Sequence, residues 1–177
     1  MRTLVLGGIR SGKSQWAEKV IAPEVSVRYI ATGSAAGSDD SWARRVAAHQ
    51  DRRPSTWSTI ESADVATQLR TETGTPALVD DLGGWLTATL DRRGWDAGPI
   101  TTEVDELVAA VGAFGAPLVL VSPEVGLTVV PATESGRRFA DELGALNQRI
   151  ADCCERVVLV IAGQPVWVKP PTMTASC

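Results

Sequence analysis

The run Gly7-Gly8-Ile9-Arg10-Ser11-Gly12-Lys13-Ser14 is a complete G-x-x-x-x-G-K-S phosphate-binding loop, and it dictates the order of the elements around it. The residues before it, Thr3-Leu4-Val5-Leu6, read as a short strand, and residues 15–21 after it can form a helix. The chemistry needs strand, loop and helix in that order. Glycines let the backbone wrap a phosphate chain with its N–H groups turned inward. The N-terminus of the following helix adds the positive end of its dipole. In this arrangement Gly7, Gly8, Ile9, Arg10, Ser11 and Gly12 form the cradle, and Lys13 sets a point charge on the terminal phosphates. The Ser14 hydroxyl is placed to hold Mg²⁺.

The rest of the chain alternates in a way that suits such a loop. Runs at 3–6, 25–31, 77–80, 117–122 and 156–162 read as buried strands, and 55–60 as a further strand at an edge. Helical patterns at 14–21, 41–51, 63–72, 84–92, 103–113 and 137–155 fall between most of them. The pattern predicts an α/β fold of the P-loop NTPase kind, a largely parallel sheet with helices on both faces. Thr102, ahead of Glu103 and Asp105, reads as the N-cap of the 103–113 helix. Phe139, Leu143, Leu146 and Ile150 make one apolar stripe on the last helix. Stretches 35–40 and 93–99 read as loops.

The 177 residues, 44% of them hydrophobic, are enough for one domain with a substantial core, and 1–169 is read as that domain. Residues 170–177 carry two prolines and no apolar periodicity, and read as a flexible tail or an arm onto a neighbour. A net charge of −4 argues against a nucleic-acid or anionic-membrane binder. The apolar runs are of strand length, which argues against membrane insertion. The first strand follows the N-terminus almost directly, with no room for a cleaved leader, so a cytoplasmic protein is expected. The three cysteines have no metal spacing and read as reduced thiols.

Further segments give the chain a more specific likeness. They are Tyr29-Ile30-Ala31-Thr32, then Arg45-Val46-Ala47-Ala48-His49-Gln50-Asp51-Arg52-Arg53-Pro54 with Trp57, then Val79-Asp80-Asp81-Leu82. Glu124-Val125-Gly126-Leu127, Val130-Pro131, Gly136-Arg137-Arg138-Phe139 and Leu146-Asn147-Gln148 complete the series. With the phosphate-binding loop, and in this order from Thr3 to about Lys169, they resemble the bifunctional adenosylcobinamide kinase / adenosylcobinamide-phosphate guanylyltransferase family of cobalamin biosynthesis. The loop is common to many NTPases; the His-x-x-x-Arg-Pro segment and the Glu-Val-Gly to Arg-Arg-Phe block are more specific. The resemblance implies two reactions. The first phosphorylates adenosylcobinamide with a nucleoside triphosphate, ATP or GTP. The second transfers GMP from GTP to adenosylcobinamide phosphate, through a guanylyl-histidine, releasing pyrophosphate. It also implies a homotrimer with active sites near subunit contacts.

Carried onto this chain, the resemblance makes His49, the sole histidine, the guanylylated residue. A neutral imidazole is chemically suited to attack the α-phosphorus of GTP, and neighbouring arginines steady developing phosphate charge. Arg53, ahead of Pro54 in the motif, is read as a nucleotide contact and Arg44 as a solvated surface residue. Asp80 closes an apolar strand, where an acid beside such a loop organises magnesium or acts as a base. Successive strand side chains point to opposite faces, so only one of Asp80 and Asp81 faces the loop. The family pattern selects Asp80, leaving Asp81 as a turn or cap residue.

Asp39 and Asp40 read as helix caps. Glu124 is open to two readings, a site acid or a loop residue, and Arg137 and Arg138 to phosphate binding or a subunit contact. Trp16, Trp57, Trp85 and Trp167 read as packing residues. Relatives often carry Thr and an apolar residue where this chain has Gly83-Gly84, and Asn where it has Pro123. Two other functions share the loop: a P-loop small-molecule or nucleotide kinase, and a nucleotide-dependent regulatory protein. Neither needs the His49 motif.

Overall fold

In a computed structural model, residues 1–33 and 54–170 are described. They form a seven-stranded sheet of order β3-β2-β4-β5-β1-β6-β7. The strands are β1 (Arg2–Gly7), β2 (Arg28–Ala31), β3 (Ser58–Glu61), β4 (Ala77–Asp80), β5 (Leu118–Pro123), β6 (Arg156–Ile161) and β7 (Gln164–Lys169). The first six pair in parallel, and only β7 is antiparallel, against β6. The described helices are α1 (Lys13–Ile21), α2 (Val65–Thr71), α3 (Leu82–Arg93), α4 (Thr101–Ala113) and α5 (Glu134–Cys153).

The period-two alternation of the strands divides the core into two layers. Leu4, Ile30, Val79, Leu118, Leu120 and Val157 point to one face, where they meet α2, α3, α4 and α5. Val5, Tyr29, Leu78, Val119, Val121 and Val158 point to the other, where Ala17 and Ile21 of α1 cover them. Among the described residues, α1 is the one helix on this second face, and Trp57 also packs against it. The helix sits over the inner strands because the loop delivers it directly from β1, which lies between β5 and β6. Parallel strands send their carboxyl ends to one edge, so the ends of β1, β4 and β5 gather there; Ala31 lies beside Asp80 and Gly7 beside Pro123.

Several boundaries differ from the sequence reading for local reasons. The run 25–31 shortens to Arg28–Ala31, because the chain after α1 turns through Pro23 and leaves Val25 81% exposed. Thr102 is not the cap of α4. The helix begins at Thr101, with Ile100 at the cap and no side-chain cap bond, and the buried Ile100 anchors its start. α5 begins at Glu134, where Thr133 Oγ1 accepts from the Gly136 N–H at 3.1 Å. Strand β7 has no counterpart among the strands expected from the sequence. A two-residue turn, Ala162-Gly163, with φ of 50° and 78°, folds it back onto β6. Pro165 disguised it, yet proline is tolerated on an edge strand. The 41–51 helix lies outside the described residues.

Candidate active site

The loop between β1 and α1 is the centre of the site. Gly12 caps α1 with φ 91°, a left-handed conformation that favours glycine, and an added Cβ would come within 3.2 Å of Gly163 Cα. The Ser11 carbonyl accepts from the Gly163 N–H at 2.7 Å, so the β6–β7 turn braces the loop. On the other flank the Glu124 N–H donates to the Gly7 carbonyl at 3.1 Å, tying in the end of β5. Gly7 leaves room for the inward turn of the loop: a Cβ there would stand 2.3 Å from Ser11 Oγ and 2.9 Å from the Val160 carbonyl. Ser11 Oγ is buried with no hydrogen-bond partner among the described residues, a polar atom suited to a phosphate oxygen. Lys13 Nζ reaches back over the loop to the Gly8 carbonyl at 3.3 Å. Arg10 holds φ 55° at the loop's exposed side, beside Ile9, which is 91% exposed.

Behind the loop, Asp80 stands at the end of β4 on the α1 face. Its Oδ1 accepts from Ser14 Oγ at 3.2 Å, and its Oδ2 accepts from the Tyr29 hydroxyl at 2.5 Å. Asp81 turns to the opposite side and caps α3, accepting from the Gly84 N–H at 2.8 Å. Burial, then the neighbouring Asp80 carboxylate, pushes the Asp81 carboxyl up from its ordinary range. Thr32 clamps this corner: its hydroxyl accepts from the Asp81 N–H at 3.0 Å and donates to the Asp81 carbonyl. The Asp80–Asp81 peptide is cis.

A hydroxyl and a carboxylate side by side at a phosphate loop are the hard oxygen donors that suit Mg²⁺, whose remaining ligands come from phosphates and water. Among the described residues no group of three acids, histidines or cysteines forms a self-contained metal cage.

Glu124 lies at the loop's rim and its Oε1 accepts from the Gly126 N–H at 2.6 Å. It lines a cavity of about 380 Å³ with Ile9, Ser11, Leu127 and Ile161. Arg137 and Arg138 spend their guanidinium groups on backbone carbonyls. Arg137 donates to Pro131 and Ala132, and Arg138 to Trp95 and Gly98, bracing the α3–α4 connection. Trp85 is buried, and Trp16 meets Trp167 edge-on at 5.9 Å. Cys153 and Cys154 are free thiols, and burial pushes Cys154 up to about 12. His49, Arg53 and the acids Asp39 and Asp40 lie outside the described residues.

Two residues of this corner carried no role in the sequence reading. Asn147, on α5, accepts from Ser122 Oγ at 2.6 Å and donates to the Pro123 carbonyl at 3.0 Å, fixing the end of β5 beside the loop. Tyr29 reaches Asp80. A period-two count from Asp80 to Leu78, and across the pair Leu78–Tyr29, puts both on one face.

The unusual Gly83 and Pro123 are in contact. A Cβ on Gly83 would lie 2.9 Å from Pro123 Cγ and 3.2 Å from its Cδ, so the proline ring fills the space of a larger residue. Gly83→Thr is expected to cost about 1–3 kcal/mol of stability from overpacking, and most of that cost is expected to vanish when Pro123→Asn is added. Urea unfolding of the two single variants and the double variant measures this coupling. Additive effects would mean that the two positions do not compensate each other.

Taken together, the braced loop, the helix that starts on Gly12, and the Ser14–Asp80 pair define a P-loop nucleotide-binding α/β protein. The family model described as "Cobinamide kinase / cobinamide phosphate guanyltransferase" matches residues 3–168. The chain belongs to that family. It is 43% identical to the bifunctional adenosylcobalamin biosynthesis protein CobP of Pseudomonas aeruginosa, over 96% of this chain and 98% of that one. It is 36% identical to the bifunctional adenosylcobalamin biosynthesis protein CobU of Salmonella typhimurium, over 96% of this chain and all (100%) of that one. Among solved structures, a Pyrococcus horikoshii OT3 protein shares the fold with a TM-score of 0.50 at 8% identity, covering 98% of this chain and 87% of that one.

Proposed function

We propose that the chain phosphorylates adenosylcobinamide with a nucleoside triphosphate and then transfers GMP from GTP to adenosylcobinamide phosphate. The observation that carries the first half is the loop with Ser14 and Asp80 hydrogen-bonded behind it. The family match over residues 3–168 supports both halves.

In the kinase step the substrate hydroxyl oxygen attacks the γ-phosphorus, the bond from that phosphorus to the bridging oxygen breaks, the nucleoside diphosphate leaves, and the hydroxyl proton passes to solvent. There is little covalent work for the protein to do, so positioning and charge dominate. The loop N–H groups from Gly8 to Ser14 hold the phosphates, and Lys13 draws charge toward the leaving side. Ser14 and Asp80 would hold Mg²⁺, which supplies charge neutralisation on the phosphates when bound. In the transfer step His49 attacks the α-phosphorus of GTP, forming a P–N bond as the bond to pyrophosphate breaks. A phosphate oxygen of adenosylcobinamide phosphate then attacks that phosphorus and the P–N bond breaks, giving adenosylcobinamide-GDP and free His49. Arg53 contacts the nucleotide phosphates in this scheme.

Residues 1–169 act as one domain in this reading, and the chain works as a homotrimer in the cytoplasm. Among the described residues no helix is long and apolar enough to cross a membrane.

The two carboxylates separate by function. Asp80→Asn is expected to raise the Mg²⁺ concentration needed for half-maximal kinase rate by about tenfold or more, since it removes a negative charge at the metal. Asp81→Asn keeps a capping side chain and is expected to change that value less than about threefold. Magnesium titrations of the two variants check this, and a larger effect at Asp81 would reverse the assignment. The reading as a whole is tested with GTP labelled at the α-phosphate. Label on the protein that is labile in acid and stable in base is the signature of a phosphoramidate. Its absence would leave a P-loop kinase or a nucleotide-dependent regulatory protein.

A further inference from the structure

We infer that Tyr29 is a positioning residue for the metal-binding acid: its phenol holds the Asp80 carboxylate in the orientation that presents Oδ1 to Ser14. This rests on the reading of Ser14 and Asp80 as the Mg²⁺ site. The geometry divides the carboxylate cleanly. Oδ2 accepts from the Tyr29 hydroxyl at 2.5 Å and Oδ1 accepts from Ser14 Oγ at 3.2 Å. A hydroxyl-to-carboxylate hydrogen bond of that length is among the strong ones. Held at Oδ2, the carboxylate has one rotational setting, and the other oxygen faces α1 and the loop.

The burial of Tyr29 points the same way. Its ring lies in the layer between the sheet and α1, with Ala17, Ile21, Leu78 and Val121, and the residue is 3% exposed. Phenylalanine would fill that layer equally well. A hydroxyl at such depth costs stability unless it is hydrogen-bonded, and here it ends on the acid of the site. Tyr29 on β2 and Asp80 on β4 are diagonal neighbours on one face of the sheet, so the rigid strands set the distance between them. Partners that orient a metal-ligating carboxylate commonly govern metal affinity as strongly as some ligands do.

Tyr29 is also the sole tyrosine of the chain, which gives the proposal a direct readout. Full-length protein in which tyrosine is replaced by 3-fluorotyrosine has a single ¹⁹F resonance. That resonance is expected to move when Mg²⁺ is added to the GTP-bound protein, and to stay in place when EDTA accompanies GTP. In parallel, calorimetry of GTP binding at graded Mg²⁺ is expected to show that Tyr29→Phe needs about tenfold more Mg²⁺ for half-maximal effect. At saturating Mg²⁺ its kcat is expected to return to within about twofold of the parent, since excess metal offsets a misplaced ligand but does not repair a damaged core. A fluorine resonance indifferent to Mg²⁺, or a wild-type Mg²⁺ requirement in Tyr29→Phe, overturns the proposal. If Asp80→Asn raises the Mg²⁺ requirement while Tyr29→Phe does not, only the positioning role fails. If neither does, the metal site itself is misassigned and the proposal falls with it.

Discussion

Lys13→Ala is expected to lower the rate of adenosylcobinamide phosphorylation by about a hundredfold to a thousandfold while the chain keeps its fold. The size follows from what the side chain does. Phosphoryl transfer on this scaffold depends on charge placed where the transition state needs it, and removing one such donor costs on the order of two to three powers of ten. The fold is spared because Lys13 is only partly buried at the first turn of α1, and its ammonium bonds only weakly, to the Gly8 carbonyl at 3.3 Å. Truncating such a side chain changes stability by about 0.5 kcal/mol or less. Initial rates at saturating nucleotide, beside a thermal melt of the same preparation, give the answer. Turnover close to that of the parent, in a folded variant, would remove the loop from the mechanism.

The second large effect separates the two activities. His49→Ala is expected to abolish covalent guanylylation and to cut GMP transfer by more than about a thousandfold, since the proposed function makes His49 the nucleophile. Phosphorylation of adenosylcobinamide in the same variant should stay within a small factor of the parent, because the proposed kinase step through the loop, Lys13, Ser14 and Asp80 uses no covalent protein intermediate. The two rates are read from one preparation: label retained on protein from α-labelled GTP, and conversion of adenosylcobinamide to its phosphate. Equal loss of both, in a folded variant, would contradict separate roles for the loop and the histidine.

The parts of the fold that the sequence made legible are those where one local rule acts alone. The loop, with a strand before and a helix after, is legible because glycine placement and phosphate geometry leave little choice. The parallel order follows from apolar strand-length runs separated by helical patterns. Strand alternation allows only one of Asp80 and Asp81 to face the loop, and the family resemblance is what picks Asp80; Asp80 turns toward α1 and Asp81 caps α3. The parts that escaped are those where two rules compete. Pro165 argues against a strand, and the Ala162-Gly163 turn argues for a hairpin; the turn wins because β7 is an edge. Thr102 is a better capping residue than Ile100, yet burial of Ile100 sets where α4 starts. Tyr29 reads as an ordinary strand aromatic, and its contact with Asp80 is visible only once β2 is known to lie beside β4. The contact between Gly83 and Pro123 is likewise a fact of tertiary packing, across 40 residues of chain that no local pattern spans.

The central claim, that one chain carries out both reactions in sequence, is tested most directly by following the corrinoid itself. Adenosylcobinamide is incubated with the full-length protein, Mg²⁺ and GTP, and the products are resolved by mass over time. Adenosylcobinamide phosphate should rise first and then decline as adenosylcobinamide-GDP accumulates, with pyrophosphate released in step with the second product. Phosphate that accumulates with no GDP adduct, or a corrinoid that remains unchanged while GTP is consumed, would contradict the account.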